Sequence, residues 1–357
     1  MIYDCVDDFI FIGTSRAYVS KQIEELCAIA ATTPPVWNSL TLLGMQMTRC
    51  RKERLIGLSM TKRIESLHEQ MVEFNPDMSI KRRSNPMTMS HYRVRDEDYD
   101  EDADSYKALN QQGIKEYMIL VGGLVWIMGI RFDITFVTTY FTWYTKNPRI
   151  HHLNCVRHCI QYLYTTKHIP LVLGGTQTLE ILGYSDASLG TGPKGRSILS
   201  QVVRLQSNAG AIHAKTRASS MVYLNVFEAE LDGCSIVVKD VSRIQNIFDE
   251  FAQHIKQTTI FGDNLAVVDF LHGRGNPKGV RHMQLRMWYL REKILSGSID
   301  IDHLAGSLIV ADRLTKVSDN IGHNVFANDI QGLNLLKLKN RSILSNGTEI
   351  EEYWDVI

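Results

Sequence analysis

Four short stretches in the C-terminal half carry the residues best placed to do chemistry. Gly183-Tyr184-Ser185-Asp186-Ala187-Ser188 ends an apolar run with a lone acid, and Glu228-Ala229-Glu230-Leu231 opens a stretch of small and apolar residues. Phe261-Gly262-Asp263-Asn264 closes a second apolar run, and Ala311-Asp312-Arg313-Leu314-Thr315-Lys316 follows the last one. Acids at strand ends and helix starts can converge on one edge of a sheet. Gathered in that way they repel one another and call for bound cations. Hard oxygen ligands suit magnesium or manganese rather than zinc. Two such ions about 4 Å apart can clamp a phosphodiester, activating a water and stabilising the leaving oxygen. The plainer alternative is that each acid is a helix cap or a surface charge, since acids are favoured at helix starts. Spacing alone does not name a reaction.

The elements that must position these acids follow from periodicity. Strands are expected over Leu179 to Ser185, Leu199 to Gln206, Ala209 to Ala214, Thr258 to Phe261 and Ser298 to His303. Helices are expected over Val226 to Val238, Val241 to Ile255, Asn264 to His272 and Met283 to Ser296, with Asp312 near the start of a final helix. Three early strands, a helix, then strand–helix alternation imply an α/β fold: a mixed sheet covered by helices. Upstream, Ser105 to Thr166 reads as largely helical with a break at Asn147-Pro148. Helical patterns also span Ser20 to Ala31 and Thr61 to Phe74. Leu42 to Met47 and Leu55 to Leu58 read as a strand pair around the basic loop Arg49, Arg51, Lys52 and Arg54. Near the start, Phe9 to Gly13 is of strand type, and a hairpin around Cys5-Val6-Asp7-Asp8 would have a first strand that is nearly absent.

Composition frames these assignments. With 357 residues there is room for two or three modest domains. Lysine plus arginine equals aspartate plus glutamate, 39 against 39, so no overall basic excess advertises nucleic-acid binding. Charge is instead segregated: Lys81-Arg82-Arg83 precedes the acidic run Asp96 to Asp102, which reads as a solvated linker. The 6 cysteines are scattered and read as reduced thiols of an intracellular protein. The most apolar stretch, Tyr117 to Ile130, is 14 residues long, too short to span a bilayer; a soluble protein without membrane partners is expected.

In order and content the four acidic stretches resemble the ribonuclease H segment of the Pol protein of Ty/copia-type long-terminal-repeat retrotransposons. That segment carries an S-D-A-x element, an E-A-E helix start, a D-N or D-S strand end and an A-D-x-x-T-K element. Here these are Ser185-Asp186-Ala187-Ser188, Glu228-Ala229-Glu230, Asp263-Asn264 and Ala311 to Lys316, collinear over about 140 residues. Leu290-Arg291-Glu292-Lys293 resembles the family's helix before the last strand.

The resemblance implies Asp186, Glu230, Asp263 and Asp312 as ligands of two Mg2+ ions, with Mn2+ able to substitute, and Glu230 preferred over Glu228. It implies cleavage of the RNA strand of an RNA–DNA hybrid, recognised through backbone and 2′-hydroxyl contacts. Lys215, Arg217, Arg281 and Arg286 are candidate phosphate contacts, with solvated surface bases as the alternative.

The resemblance continues upstream. Cys5-Val6-Asp7-Asp8 resembles the Y-V-D-D turn of reverse transcriptases, so Asp7 and Asp8 match metal ligands of a polymerase site. Leu43-Gly44-Met45, Leu120-Val121-Gly122-Gly123-Leu124 and Arg131-Phe132-Asp133-Ile134 resemble elements between polymerase and nuclease. The implied organisation is a truncated reverse-transcriptase palm/thumb remnant over 1–90 and an acidic linker over 91–110. A helical connection over 111–176, a ribonuclease H-like domain over 177–317 and a C-terminal tail over 318–357 would follow. An earlier palm aspartate has no match here, so polymerisation by this chain alone is not expected. Family resemblance further implies virus-like particle components or a full-length Pol as partners, a link to DNA integration, and residence in cytoplasmic particles and the nucleus.

Other features pull elsewhere. His151-His152-x-x-Cys155-x-x-His158-Cys159 has the residue types of a zinc site, with Cys155 and Cys159 at i, i+4 and His151 able to join that face. The family carries no metal there, and packing cysteines with solvated histidines are the preferred reading. Thr216 to Ser220 reads as a polar loop. Asn225-Val226-Phe227 stands where the family has serine and threonine, Gly233 interrupts a helix, and Leu308-Ile309-Val310 is apolar where the family is polar. These departures leave open a relic that folds and binds nucleic acid without cutting, or a subunit completing another Pol molecule.

Overall fold

A computed structural model describes residues 2–5, 8–11, 13, 15–32, 34–35, 41–92, 106–175, 178–251, 255, 258–275 and 281–336. Asp7, the acidic run 96–102 and the tail beyond 336 lie outside the described residues. The chain divides into two units at Leu40/Thr41.

In the first unit, β1 (Ile2–Cys5) and β2 (Asp8–Phe11) pair antiparallel, Cys5 facing Asp8. The first strand of this hairpin is therefore present, contrary to expectation, because four residues suffice to pair with four partners. Helix α1 (Arg16–Ile29) follows, capped by Ser15, whose side chain accepts from the Tyr18 amide.

The second unit opens with a small antiparallel sheet. β3 (Thr41–Leu42) and β4 (Met45–Cys50) form a hairpin where the sequence suggested one strand. Leu43 and Gly44 both take positive φ, the geometry of a two-residue hairpin turn. β5 (Leu55–Ser59) pairs with β4, so Arg49 lies in a strand rather than in the basic loop. Helix α2 (Thr61–Phe74) matches the expected span. The helical stretch then resolves into α3 (Gln111–Ile127), α4 (Thr135–Trp143) and α5 (Ile150–Thr165). Leu171–Gly174, assigned no element from the sequence, is β6 and returns to pair with β5.

The main sheet holds β7 (Ile181–Ser188), β8 (Ile198–Arg204), β9 (His213–Ala218), β10 (Thr258–Gly262) and β11 (Asp300–His303), in the order β11-β10-β7-β8-β9. β7, β8 and β9 run antiparallel, while β10 and β11 lie parallel to β7 and to each other. This is the mixed α/β sheet with covering helices that the sequence implies. Thr216 to Ala218 belongs to β9, not to a loop. The expected strand 209–214 is displaced because Gly210 and Ala211 bond to Val172 and Ile330 instead.

Alternation along the strands gives the sheet two buried faces. Ile181, Leu199 and Val203 pack under α6 (Val226–Glu250), α7 (Leu265–Leu271) and α8 (Gln284–Leu295). Leu182, Tyr184, Ile198 and Val202 pack into a second core shared with α2 to α5 and α9 (Asn320–Ile330). α6 is one helix of 25 residues where two were expected, since no breaker separates Val238 from Val241. Asp312 sits in a 3₁₀ turn, Val310–Leu314, rather than an α-helix. Among the described residues no helix is long and apolar enough to cross a membrane.

Candidate metal centre

Two strands, one helix and a 3₁₀ turn deliver the acids. β7 carries Asp186 on its central position in the sheet, and parallel β10 ends beside it so that Asp263 follows immediately. Glu230 is fixed by the start of α6, where Asn225 caps the helix and its side chain accepts from the Glu228 amide. Carboxylate oxygens of Asp186, Glu230 and Asp263 all lie within 4.8 Å of one another. Asp312 lines the same cavity of about 500 Å³, together with Ser188, Val226, Asn264, Leu265, Thr315 and Lys316. Glu228 faces away: it accepts from the Leu224 amide and Asn225 Nδ2, and pairs with His282 at 3.6 Å.

Crowding of like charge in a buried place governs the electrostatics. Burial, with Asp186 and Asp263 nearby, pushes Glu230 up to about 9, against a weaker opposing pull from the Ala187 amide. Burial also pushes Asp186 up to about 6, partly offset by the hydroxyl of Thr315, which donates to its Oδ2 at 2.9 Å. Glu230 Oε2 is buried and accepts no hydrogen bond among the described residues. An orphan carboxylate oxygen beside two further carboxylates is a donor set shaped for a hard divalent cation. A divalent ion fits these residues.

Several supporting residues escaped the sequence reading. Thr315 and Lys316 were visible in the A-D-x-x-T-K element, but their roles were not: Thr315 orients Asp186, and Lys316 Nζ lies 2.5 Å from Asp312 Oδ1. Ser200 and Thr216 donate to the carbonyls of Ala311 and Leu314, seating the Asp312 turn on β8 and β9. At Gly306 a Cβ would stand 3.1 Å from Asp263 Oδ2, and His303 Nε2 donates to the Asp263 carbonyl at 3.2 Å. Gly233, which reads as a weak helix residue, allows the close approach of α6 to β7: a Cβ there would stand 2.7 Å from Ser185 Oγ.

The remaining site candidates lie elsewhere. Lys215 is exposed on β9, and neither it, Arg217 nor Arg286 lines the carboxylate cavity. Arg217 and Arg286 line a second cavity beside α6, where Arg286 is ion-paired with Asp232. Arg281 starts a 3₁₀ turn, and its side chain, like that of Asp8 in β2, lies outside the described residues. The histidines expected to be solvated are not all so: His152 and His158 are buried, His152 stacking on Tyr144 and His158 bonding to Asn85.

Comparison with known sequences bears on this arrangement. The retrovirus-related Pol polyprotein from transposon TNT 1-94 of Nicotiana tabacum is 23% identical over 321 residues, covering 87% of this chain. The corresponding polyprotein from transposon RE1 of Arabidopsis thaliana is 21% identical over 216 residues, or 60% of this chain. The resemblance to Ty/copia-type Pol proteins is borne out. The chain spans 23% and 15% of the lengths of these two relatives. No family model matches the sequence. Among solved structures, LC11-RNase H1 in complex with RNA/DNA hybrid aligns with 38% of this chain and 93% of its own, at 12% identity and a TM-score of 0.31. The N-terminal RNase H domain of rv2228c from Mycobacterium tuberculosis, a fusion with maltose binding protein, aligns with 42% and 98%, at 16% identity and a TM-score of 0.30.

Proposed function

We propose that the chain is a divalent-metal-dependent endoribonuclease of the ribonuclease H type, cutting the RNA strand of RNA–DNA hybrids with Mg2+ as its physiological ion. The observation that carries this reading is the buried convergence of Asp186, Glu230 and Asp263, with Asp312 on the rim of the same cavity. Asp186, Glu230 and Asp263 would hold the metal, with Asp312 completing the set. When bound, the ion supplies an activated water and charge neutralisation at the phosphodiester.

The chain's own residues do the rest. Thr315 holds Asp186 in one orientation, and the Ala187 amide does the same for Glu230. Lys316, held over the cavity by Asp312, presents a cation toward an incoming phosphate. Two of the departures from the family pattern are absorbed locally: Asn225 serves as the cap of α6, and Ile309 and Val310 are buried.

Cleavage of a labelled RNA–DNA hybrid by purified protein, with Mg2+, with Mn2+ and with chelator, tests the proposal. Metal-dependent cutting that disappears in Asp186→Asn supports it. A folded protein that binds hybrid and leaves it intact under every condition would sink it in favour of the relic.

A further inference from the structure

A second cluster of ligand-type side chains stands in the helical region, away from the carboxylates. His151, Cys155 and His158 occupy positions i, i+4 and i+7 of α5 and so share one face of the helix. The 3₁₀ turn Met89–His91 lies across that face and brings in a fourth residue, His91, that sequence spacing gave no means of associating with them. The His91 ring centroid is 6.2 Å from that of His151 and 5.6 Å from that of His158, nearly perpendicular to both.

We propose that His91, His151, Cys155 and His158 form a site for a zinc-class divalent cation that staples the Met89–His91 turn to α5. Tetrahedral zinc with nitrogen at about 2.1 Å and sulfur at about 2.3 Å sets those two atoms about 3.6 Å apart. His151 Nε2 and Cys155 Sγ are 3.6 Å apart. A weak thiol–imidazole hydrogen bond would give the same distance by itself, but it does not gather two further imidazoles. Imidazoles sharing one such ion place their ring centroids about 5–6 Å apart; His91 and His158 are at 5.6 Å, and the 6.2 Å between His91 and His151 closes by a small ring movement. His158 supplies the independent sign of a missing partner. It is 5% exposed, its Nε2 bonds to the Asn85 carbonyl, and its Nδ1 is buried with no hydrogen-bond partner among the described residues. A buried ring nitrogen left without a hydrogen bond calls for a partner, and a bound cation is one that its lone pair can satisfy.

Binding requires adjustment, and the chemistry balances. His151 Nε2 now donates to the His91 carbonyl at 2.8 Å; that bond is exchanged for one to the ion as the imidazole shifts tautomer. The Cys155 thiol gives its proton to solvent on becoming a thiolate ligand. The donor atoms do not meet the 4.8 Å mutual spacing that the three carboxylates do, so the His91 and His158 rings must turn on binding. Soft thiolate and imidazole donors separate this site in preference from the all-oxygen carboxylate site.

The test uses the full chain, stripped of metal and of any affinity tag, titrated with cobalt(II) and separately with zinc. Wild type is expected to develop tetrahedral d–d absorption and a thiolate-to-cobalt charge-transfer band, and to keep one zinc per chain through dialysis. Cys155→Ser is expected to lose the charge-transfer band and that zinc, while Asp263→Asn keeps both. Absence of the band in folded wild-type protein overturns the proposal, and no variant is needed for that result. So does a band that persists undiminished in Cys155→Ser, which would place the thiolate elsewhere.

Discussion

Replacing Glu230 by glutamine should stabilise the metal-free protein at alkaline pH and abolish hybrid cleavage. The magnitude follows from the site. Glu230 is 3% exposed and its carboxyl is pushed from 4.5 to about 9, chiefly by burial and then by Asp186 and Asp263. A raised carboxyl pKa means the folded state keeps a proton that the unfolded chain has already released. This contribution is therefore fully present below the ordinary value and is lost as pH rises toward about 9. At about pH 8 the gap spans 8 − 4.5, or about 3.5 pH units, which at about 1.4 kcal/mol per unit sets a ceiling of about 5 kcal/mol. At about pH 5 the same arithmetic leaves under about 1 kcal/mol. Glutamine avoids this penalty and can still accept from the Ala187 amide through its carbonyl oxygen. In chelator, urea denaturation should show Glu230→Gln more stable than wild type by about 2–5 kcal/mol at about pH 8, and nearly equal at about pH 5. Magnesium should then raise wild type and leave the variant unmoved. An offset between the two proteins that is the same at both pH values would refute the reasoning, as would a variant less stable at the higher pH.

Three further substitutions probe how the site is supported. Thr315→Val removes the hydroxyl that donates to Asp186 and should weaken activating-metal affinity by about 10–100-fold with the fold intact, measured by metal dependence of cleavage. Gly233→Ala sets a methyl 2.7 Å from Ser185 Oγ and should lower stability by about 1–3 kcal/mol despite alanine's better helix propensity, read by denaturant midpoint. Arg131→Met leaves Asp133 buried without its cation and should destabilise by about 3–5 kcal/mol in the same assay.

Periodicity made the sheet legible where it was strict. Strand β10 and helices α7 and α8 lie within a residue or two of expectation, and the mixed topology follows from their order. It failed where tertiary bonds outrank local pattern. Gly210 and Ala211 satisfy Val172 and Ile330, which moves β9 down the chain. The residues of the A-D-x-x-T-K element were all in view, yet nothing in the sequence told that Thr315 would reach Asp186, 129 positions away. Gly233 was misjudged for the same reason. Read along the helix it is a weak former, and only the 2.7 Å approach to Ser185 Oγ shows that a side chain there would displace a neighbour on β7. The histidines of α5 looked solvated because their burial depends on the 3₁₀ turn at Met89–His91, more than 50 positions upstream.

The Arg131-Phe132-Asp133-Ile134 element shows how a segment distant in sequence bears on the carboxylates. Arg131 makes a bidentate pair with Asp133, at 2.8 and 2.7 Å, and also donates to Thr166. Tyr162 donates to Asp133 at 2.6 Å and meets His323 of α9 at 3.0 Å, while the Phe132 amide bonds to Gln331 just after α9. Helix α9 follows the 3₁₀ turn that carries Asp312, and that turn is pinned from the sheet by Ser200 and Thr216. Asp312 is therefore held between the sheet on one side and a buried charge network of the helical region on the other. α4 reaches the same place through Thr139, whose hydroxyl donates to the Thr216 carbonyl at 3.4 Å. Leu182, Tyr184, Ile198 and Val202 share their core with residues of α3, α4 and α5, so one face of the main sheet depends on the helical segment for its cover. Chemistry that needs four acids in register thus draws its rigidity from a motif with no reacting group in it.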